Sequence, residues 1–356
     1  MRFSLFAAAA FVASAVARSL PLDTPAALSA RQSRLPSSFK WSSSDVLVSA
    51  KKDSHNAAGI KDPSIVQVNG VYHVFASAAN NDGYSLVYFS FTDFSKANQA
   101  QFFYLDQTKI GTGYRAAPEV FYMSSQKMWY LVYQNGNAAY STNPDISNPA
   151  GWSAPQVFYP NGTPATIRNN IGKGNWVDMW VICDSANCHL FSSDDNGHLY
   201  RSQTPVSSFP RGMSEPVIIM QTANPNDLWE AANVYNVGGD QYLLLVECIG
   251  TKSSPGGIRY FRSWTSSNLA GPWTALAATE ANPFIGAANV QFASGRSWTE
   301  SFSHGEIVRT LVDQTLTINP CSMRYLYQGL NPSASAISYS ALPWTLGLLT
   351  QVGSSC

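Results

Sequence analysis

Ile60-Lys61-Asp62-Pro63-Ser64-Ile65-Val66, Asn69-Gly70, Val71-Tyr72-His73-Val74-Phe75 and Phe89-Ser90-Phe91-Thr92-Asp93-Phe94 are successive parts of one unit that this chain of 356 residues repeats. An acidic opening segment leads into a first strand and a turn. A second strand follows, opening with an aromatic and reaching Ser within two residues. That second strand returns at Tyr140-Ser141-Thr142, Tyr200-Arg201-Ser202 and Phe261-Arg262-Ser263. Its partner returns as Trp129-Tyr130-Leu131-Val132-Tyr133, Cys188-His189-Leu190-Phe191 and Tyr242-Leu243-Leu244-Leu245-Val246. Aromatic and β-branched runs of this length form strands. Asn69-Gly70, Asn196-Gly197 and Gly238-Gly239 supply the left-handed backbone that hairpin turns need. A repeat of roughly fifty residues built from short strands cannot bury both faces of one unit alone, so it predicts propeller blades. The expected fold is all-β, a five-bladed β-propeller with the active site at the end of the axial channel. The fifth, degenerate unit is expected between about Ile307 and Gly329.

The opening segments line the axis of such a ring. They carry Asp62 in the first unit, Asp178 in Trp176-Val177-Asp178-Met179-Trp180, and Glu230 in Leu228-Trp229-Glu230-Ala231-Ala232. Three acids at equivalent places in different blades converge near the axis. Asp178 and Glu230 have apolar neighbours, which raise a carboxyl's pKa unless a partner holds the charge. A single acid of this kind is more often a hydrogen-bond anchor than a catalyst; the repetition reverses that reading. The second unit has Ala117-Pro118 instead, with Glu119 one place along and expected to face away by strand alternation.

Charged residues make up only 12% of the chain, with Lys plus Arg equal to Asp plus Glu at 22 each, so no basic surface is available for nucleic acid. Aromatics reach 13%. Most of them should pack between blades, leaving a minority to stack on sugar rings. Arg2 followed by an apolar run from about Leu5 to Val16 reads as a signal peptide over 1–17, and 18–34 as a pro-segment or linker. The propeller then occupies 35–356. The expected location is secreted and extracellular, and no other stretch approaches a membrane span. A closed propeller with a neutral surface implies a monomer.

Of five cysteines, Cys183 and Cys188 flank a short turn and are expected to form a disulfide. Cys248 reads as a buried small residue, and Cys321 and Cys356 could pair. Asn161-Gly162-Thr163 is an acceptor for glycosylation. The five histidines show no metal-ligand spacing, and His73 and His189 lie inside strands as structural residues. Phosphate loops, nucleophile elbows and zinc helices are absent. Converging carboxyls in a polar, aromatic-lined channel suit glycosidic cleavage, where one protonated carboxyl serves the leaving oxygen and one carboxylate serves as base or nucleophile.

Leu35-Pro36-Ser37-Ser38-Phe39-Lys40-Trp41, Lys61-Asp62-Pro63-Ser64, Ala117-Pro118-Glu119-Val120-Phe121, Asp178-Met179-Trp180, Phe191-Ser192-Ser193-Asp194-Asp195-Asn196-Gly197, Leu228-Trp229-Glu230-Ala231 and Leu342-Pro343-Trp344 together resemble glycoside hydrolase family 62, the α-L-arabinofuranosidases. The resemblance implies an inverting enzyme that removes single arabinofuranosyl branches from plant cell-wall arabinoxylan. It implies Asp62 as general base, Glu230 as general acid, and Asp178 as the acid that orients the sugar and tunes the protonation of Glu230. It further implies Lys61 and Tyr339 around the arabinose, and a structural calcium ion contacted by His304, with no cofactor required for chemistry. Many relatives have a Cys just before the opening Leu-Pro, where this chain has Ser33-Arg34, so Cys356 lacks that partner. The alternatives are a family 43 type propeller glycosidase, such as an arabinanase or β-xylosidase, and a non-catalytic propeller that binds polysaccharide.

Overall fold

The computed structural model describes residues 35–252 and 257–353. The expected signal peptide, the pro-segment and Cys356 lie outside the described residues. Five antiparallel sheets are arranged around one axis, each starting at its inner strand. The inner strands are Gly59–Val68, Ala116–Met123, Val177–Cys183, Glu230–Gly238 and Ser303–Ile307. Successive inner strands are neighbours around the ring, and the fifth returns to the first. The expected propeller is thus the fold observed.

Blades one to four are meanders of four strands. The fifth differs from the expected unit: it begins at Ser303 and contains Arg324–Gly329 and Thr345–Gln351. It is completed by Trp41–Ser43 from the other end of the chain and by Val290–Phe292. No local repeat announces that blade, because its outer strands come from distant parts of the sequence. Trp41 is 1% exposed and its Nε1 donates to Phe284 O at 2.6 Å, anchoring the closing strand.

Aromatic packing joins the blades. Phe75 of the first blade meets Trp152 of the second edge-on at 5.4 Å, and Trp180 of the third meets Tyr235 of the fourth at 5.4 Å. Each large side chain buried in this way contributes about 1.5–3 kcal/mol. Cys183 and Cys188 form the expected disulfide at the far end of the third inner strand. Cys248 is a buried free thiol, and Cys321 is disulfide-bonded. His73 Nδ1 pairs with Tyr88 OH at 2.8 Å and His189 Nε2 with Asp184 Oδ2 at 3.0 Å, both structural. Among the described residues no helix is long and apolar enough to cross a membrane.

Every inner strand is bulged near its start. Asp62, Ala117, Asp178 and Ala231 sit at that point with φ of 50°, 49°, 57° and 53°. A left-handed residue other than glycine costs about 1–3 kcal/mol, so something must hold it. The previous blade does so by accepting the N–H freed from the ladder. Asp62 N donates to Gln328 Oε1 at 2.6 Å, Ala117 N to Ser77 Oγ at 2.8 Å, and Asp178 N to Gln134 Oε1 at 2.8 Å. Ala231 N donates to Asp178 Oδ2 at 2.7 Å and His304 N to Glu247 Oε2 at 2.6 Å. A second tier lies deeper: Ile65 N donates to Glu306, Val120 N to Ser64, Val181 N to Glu119 and Ile307 N to Tyr235.

Candidate active site

One cavity of about 800 Å³ opens over the axis, and Lys61, Asp62, Asp178, Glu230, His304 and Tyr339 all line it. The residues expected to form a site from scattered parts of the sequence are therefore brought together. One detail of the expectation is corrected. Asp62 and Asp178 occupy equivalent left-handed positions, but in the fourth blade that place belongs to Ala231, and Glu230 stands one residue earlier, in step with Lys61. Bulges suspend strict alternation, so two consecutive side chains face the same side. Lys61 and Asp62, like Ala116 and Ala117, line the cavity together.

Glu119 stays out of it. The side chain is 1% exposed, and Oε2 accepts Val181 N–H at 2.6 Å in the deeper tier. Burial pushes its carboxyl well above the usual range.

Asp62 and Asp178 flank His304, whose Nδ1 lies 3.6 Å from Oδ1 of each. Burial, then the charges of Glu230 and Asp62, raise the Asp178 carboxyl well above the usual range. Lys61 is buried beneath aromatic rings, its Nζ 4.6 Å from the Tyr339 ring centre and 5.1 Å from that of Tyr84. Burial alone would lower the Lys61 pKa, but Tyr339, Asp62, Tyr84 and Glu230 hold it well above the ordinary lysine value. A cation thus stands permanently beside the acids.

Three further residues were not singled out from the sequence. Arg259 is 4% exposed, and its Nη1 bridges Glu230 Oε1 at 2.7 Å and Glu247 Oε1 at 2.8 Å. Glu247 is fully buried, takes hydrogen bonds from Ser303 Oγ and His304 N, and is pushed up to about 7 by burial. Asp195 also lines the cavity, next to Glu230. Glu247 interrupts the apolar run from Tyr242, a signal of the same kind as Asp178. Asp195 was hidden in a hairpin turn, where Asp is expected for backbone reasons alone.

Calcium takes six to eight oxygen ligands. Around His304 the side chains offer two carboxylate oxygens at 3.6 Å, and among the described residues no group of three His, Cys, Asp or Glu is arranged to hold a metal ion.

A five-bladed propeller whose acids meet over the axis, beside a buried lysine and aromatic walls, is built as a glycoside hydrolase. The model of Glycosyl hydrolase family 62 matches residues 40–350, and the chain belongs to that family. It is 63% identical to the catalytic domain of a family 62 α-L-arabinofuranosidase from Coprinopsis cinerea, with a TM-score of 0.87 over 90% of this chain and 100% of that one. A family 62 hydrolase in complex with xylotriose is 59% identical, with a TM-score of 0.85 over 89% of this chain and 98% of that one. α-L-Arabinofuranosidase C of Cellvibrio japonicus (strain Ueda107) is 40% identical over 322 residues, 88% of this chain and 47% of the relative. The chain spans about half the length of that curated relative.

Proposed function

We propose that the protein is a secreted, inverting α-L-arabinofuranosidase that removes single arabinofuranosyl side chains from arabinoxylan. The observation that carries this reading is the meeting of Asp62, Asp178 and Glu230 in one cavity, in a chain 63% identical to an α-L-arabinofuranosidase. The similar family 62 hydrolase in complex with xylotriose supports a xylan main chain lying across the same surface. The apolar run near the N-terminus supports secretion.

The furanose enters the cavity beside Lys61 and Tyr339, which contact each other in its wall. Glu230 donates a proton to the glycosidic oxygen while Asp62 takes one from a water on the opposite face of the sugar. Asp178 cannot approach the leaving oxygen freely, since its Oδ2 is held by Ala231 N–H. It fixes the peptide beside Glu230 and contributes negative field. Arg259 binds Oε1 of Glu230, which leaves Oε2 to carry the proton. Calcium at His304, expected from the resemblance, would take most of its oxygen ligands from water, and the steps above do not use it. A single closed ring acts as a monomer in this scheme.

Proton NMR of arabinoxylan during digestion tests the proposal. The expected result is free arabinose appearing first as the β-anomer, with the xylan chain intact. Shortened xylan without arabinose, or no pentose at all, would overturn it.

A further inference from the structure

Glu247 has no part in the chemistry described so far. It is 0% exposed, so no sugar reaches it, and it breaks an apolar run that begins at Tyr242. Strand register sets it directly opposite Glu230. Like charges facing each other across a ladder destabilise a sheet, and a buried ion pair is no more stabilising than apolar packing of similar volume. Stability alone therefore does not account for a carboxylate at this place.

Its contacts do. Arg259 Nη1 donates to Glu247 Oε1 at 2.8 Å, Ser303 Oγ to the same oxygen at 2.9 Å, and His304 N to Oε2 at 2.6 Å. The same Arg259 Nη1 donates to Glu230 Oε1 at 2.7 Å, while Nη2 lies 3.4 Å from Tyr339 OH. A guanidinium favours gripping one carboxylate with two parallel N–H groups. Here one nitrogen is divided between two carboxylates instead. The fifth blade keeps Glu247 from following Arg259, because Ser303 Oγ in turn accepts Gln328 Nε2 at 2.8 Å, and Gln328 Oε1 accepts Asp62 N at 2.6 Å. Acid and base hang on one buried frame.

We propose that Glu247 is a positioning residue for proton donation: by engaging Arg259 it stops the guanidinium from closing over both oxygens of Glu230, and so keeps Oε2 open to hold and deliver the proton. The inference rests on the arabinofuranosidase reading, in which Glu230 is the general acid. In the reaction the Oε2 proton passes to the glycosidic oxygen as the bond from that oxygen to the anomeric carbon breaks. Water, losing a proton to Asp62, supplies the oxygen of the new bond. Without the Glu247 carboxylate, Arg259 turns its fork onto Glu230. Both carboxylate oxygens then accept N–H groups and the leaving oxygen departs unassisted.

Glu247→Gln keeps the shape and an acceptor oxygen but removes the charge that competes for Arg259. Glu230 still pairs the guanidinium, so the variant should fold. On arabinoxylan kcat should fall about tenfold or more, with KM within about threefold of wild type. On 2,4-dinitrophenyl α-L-arabinofuranoside, whose leaving group needs no proton, the loss should stay below about threefold. Glu247→Asp retains the charge and should bring the ratio of the two rates back to within about threefold of wild type. Equal losses on both substrates, or no loss on either, would overturn the inference. Should Glu247→Gln fail to fold, Ser303→Ala loosens the anchor of Glu247 and must show the same selective loss, at about threefold or more; an equal loss or none rejects the proposal. A crystal structure of Glu247→Gln gives a readout without substrate. Two nitrogens of Arg259 should lie on Glu230, and an unmoved guanidinium would overturn the assignment. A guanidinium that turns as expected, in a protein whose wild type releases arabinose from neither substrate, would sink the functional reading instead and leave the division of Arg259 standing.

Discussion

Asp178 Oδ2 accepts the backbone N–H of Ala231 at 2.7 Å, so an acid of the third blade grips the residue next to Glu230 in the fourth. At the equivalent place in the first three blades the acceptor is a glutamine or serine, and in the fifth it is the buried Glu247. Between these two blades the structural bond and the electrostatic one involve the same carboxyl.

Removing that carboxyl should change proton handling as well as geometry. Asp178→Asn retains an oxygen that can accept Ala231 N–H but removes the negative field on Glu230. The alkaline limb of the kcat profile on arabinoxylan should move to lower pH, with folding cooperativity intact in a thermal melt. An unchanged profile would leave Asp178 a purely structural residue.

Glu230→Gln and Asp62→Asn remove the two proton transfers. Each contributes roughly 10²–10⁴-fold, so either substitution should lower kcat on arabinoxylan by at least that factor while binding of the oligosaccharide, measured by calorimetry, persists. The two should differ on 2,4-dinitrophenyl α-L-arabinofuranoside. Glu230→Gln should recover much of the lost rate there, whereas Asp62→Asn should remain inactive because water still needs a base.

Glu119→Ala separates support from chemistry. It leaves Val181 N–H without its acceptor and opens a void between the second and third blades. The expected cost is about 2–4 kcal/mol in chemical denaturation, with kcat of the folded enzyme within about twofold of wild type. A loss of kcat as deep as that of Glu230→Gln would place Glu119 in the reaction after all.

Several buried carboxyls also predict how stability follows pH. Asp178, Asp195 and Glu247 are all raised, Asp195 to about 9 and Glu247 to about 7, chiefly by burial. A carboxyl raised on folding contributes stability that is complete below about pH 4, its unfolded value, and is lost as pH climbs through the folded value. The melting temperature should therefore fall between pH 5 and pH 9. Asp195→Asn should flatten the alkaline part of that decline. A melting temperature that climbs over this range contradicts the assignment.

Much of this was legible in the sequence because the repeat is short and local. The aromatic and β-branched run Val71–Phe75 and its copies, with glycines at hairpin turns, mark blades without any long-range information. Asp178 and Glu230 stood out as charges with apolar neighbours, and Asp62 by its matching place in the first unit. The fifth blade did not, since pairing of Trp41–Ser43 with Thr345–Gln351 leaves no local trace. Nor did the offset of Glu230, because a bulge changes which side chains share a face, and spacing arguments assume that none is present. Arg259 looks like any strand-opening arginine until Glu247 is seen behind it. Asp195 sits in a turn whose composition already has a sufficient backbone explanation.

The clasp in the last blade, where Gln351 lies opposite Trp41, brings both extremities of the described chain to one seam of the hoop. Threading order is consequently immaterial to the chemistry. Joining the seam and cutting instead at the exposed turn between Met123 and Met128 would keep every stave in place, whereas deleting one stave would scatter the acids. What inheritance must preserve is a shut circle; the point at which the chain happens to begin is incidental.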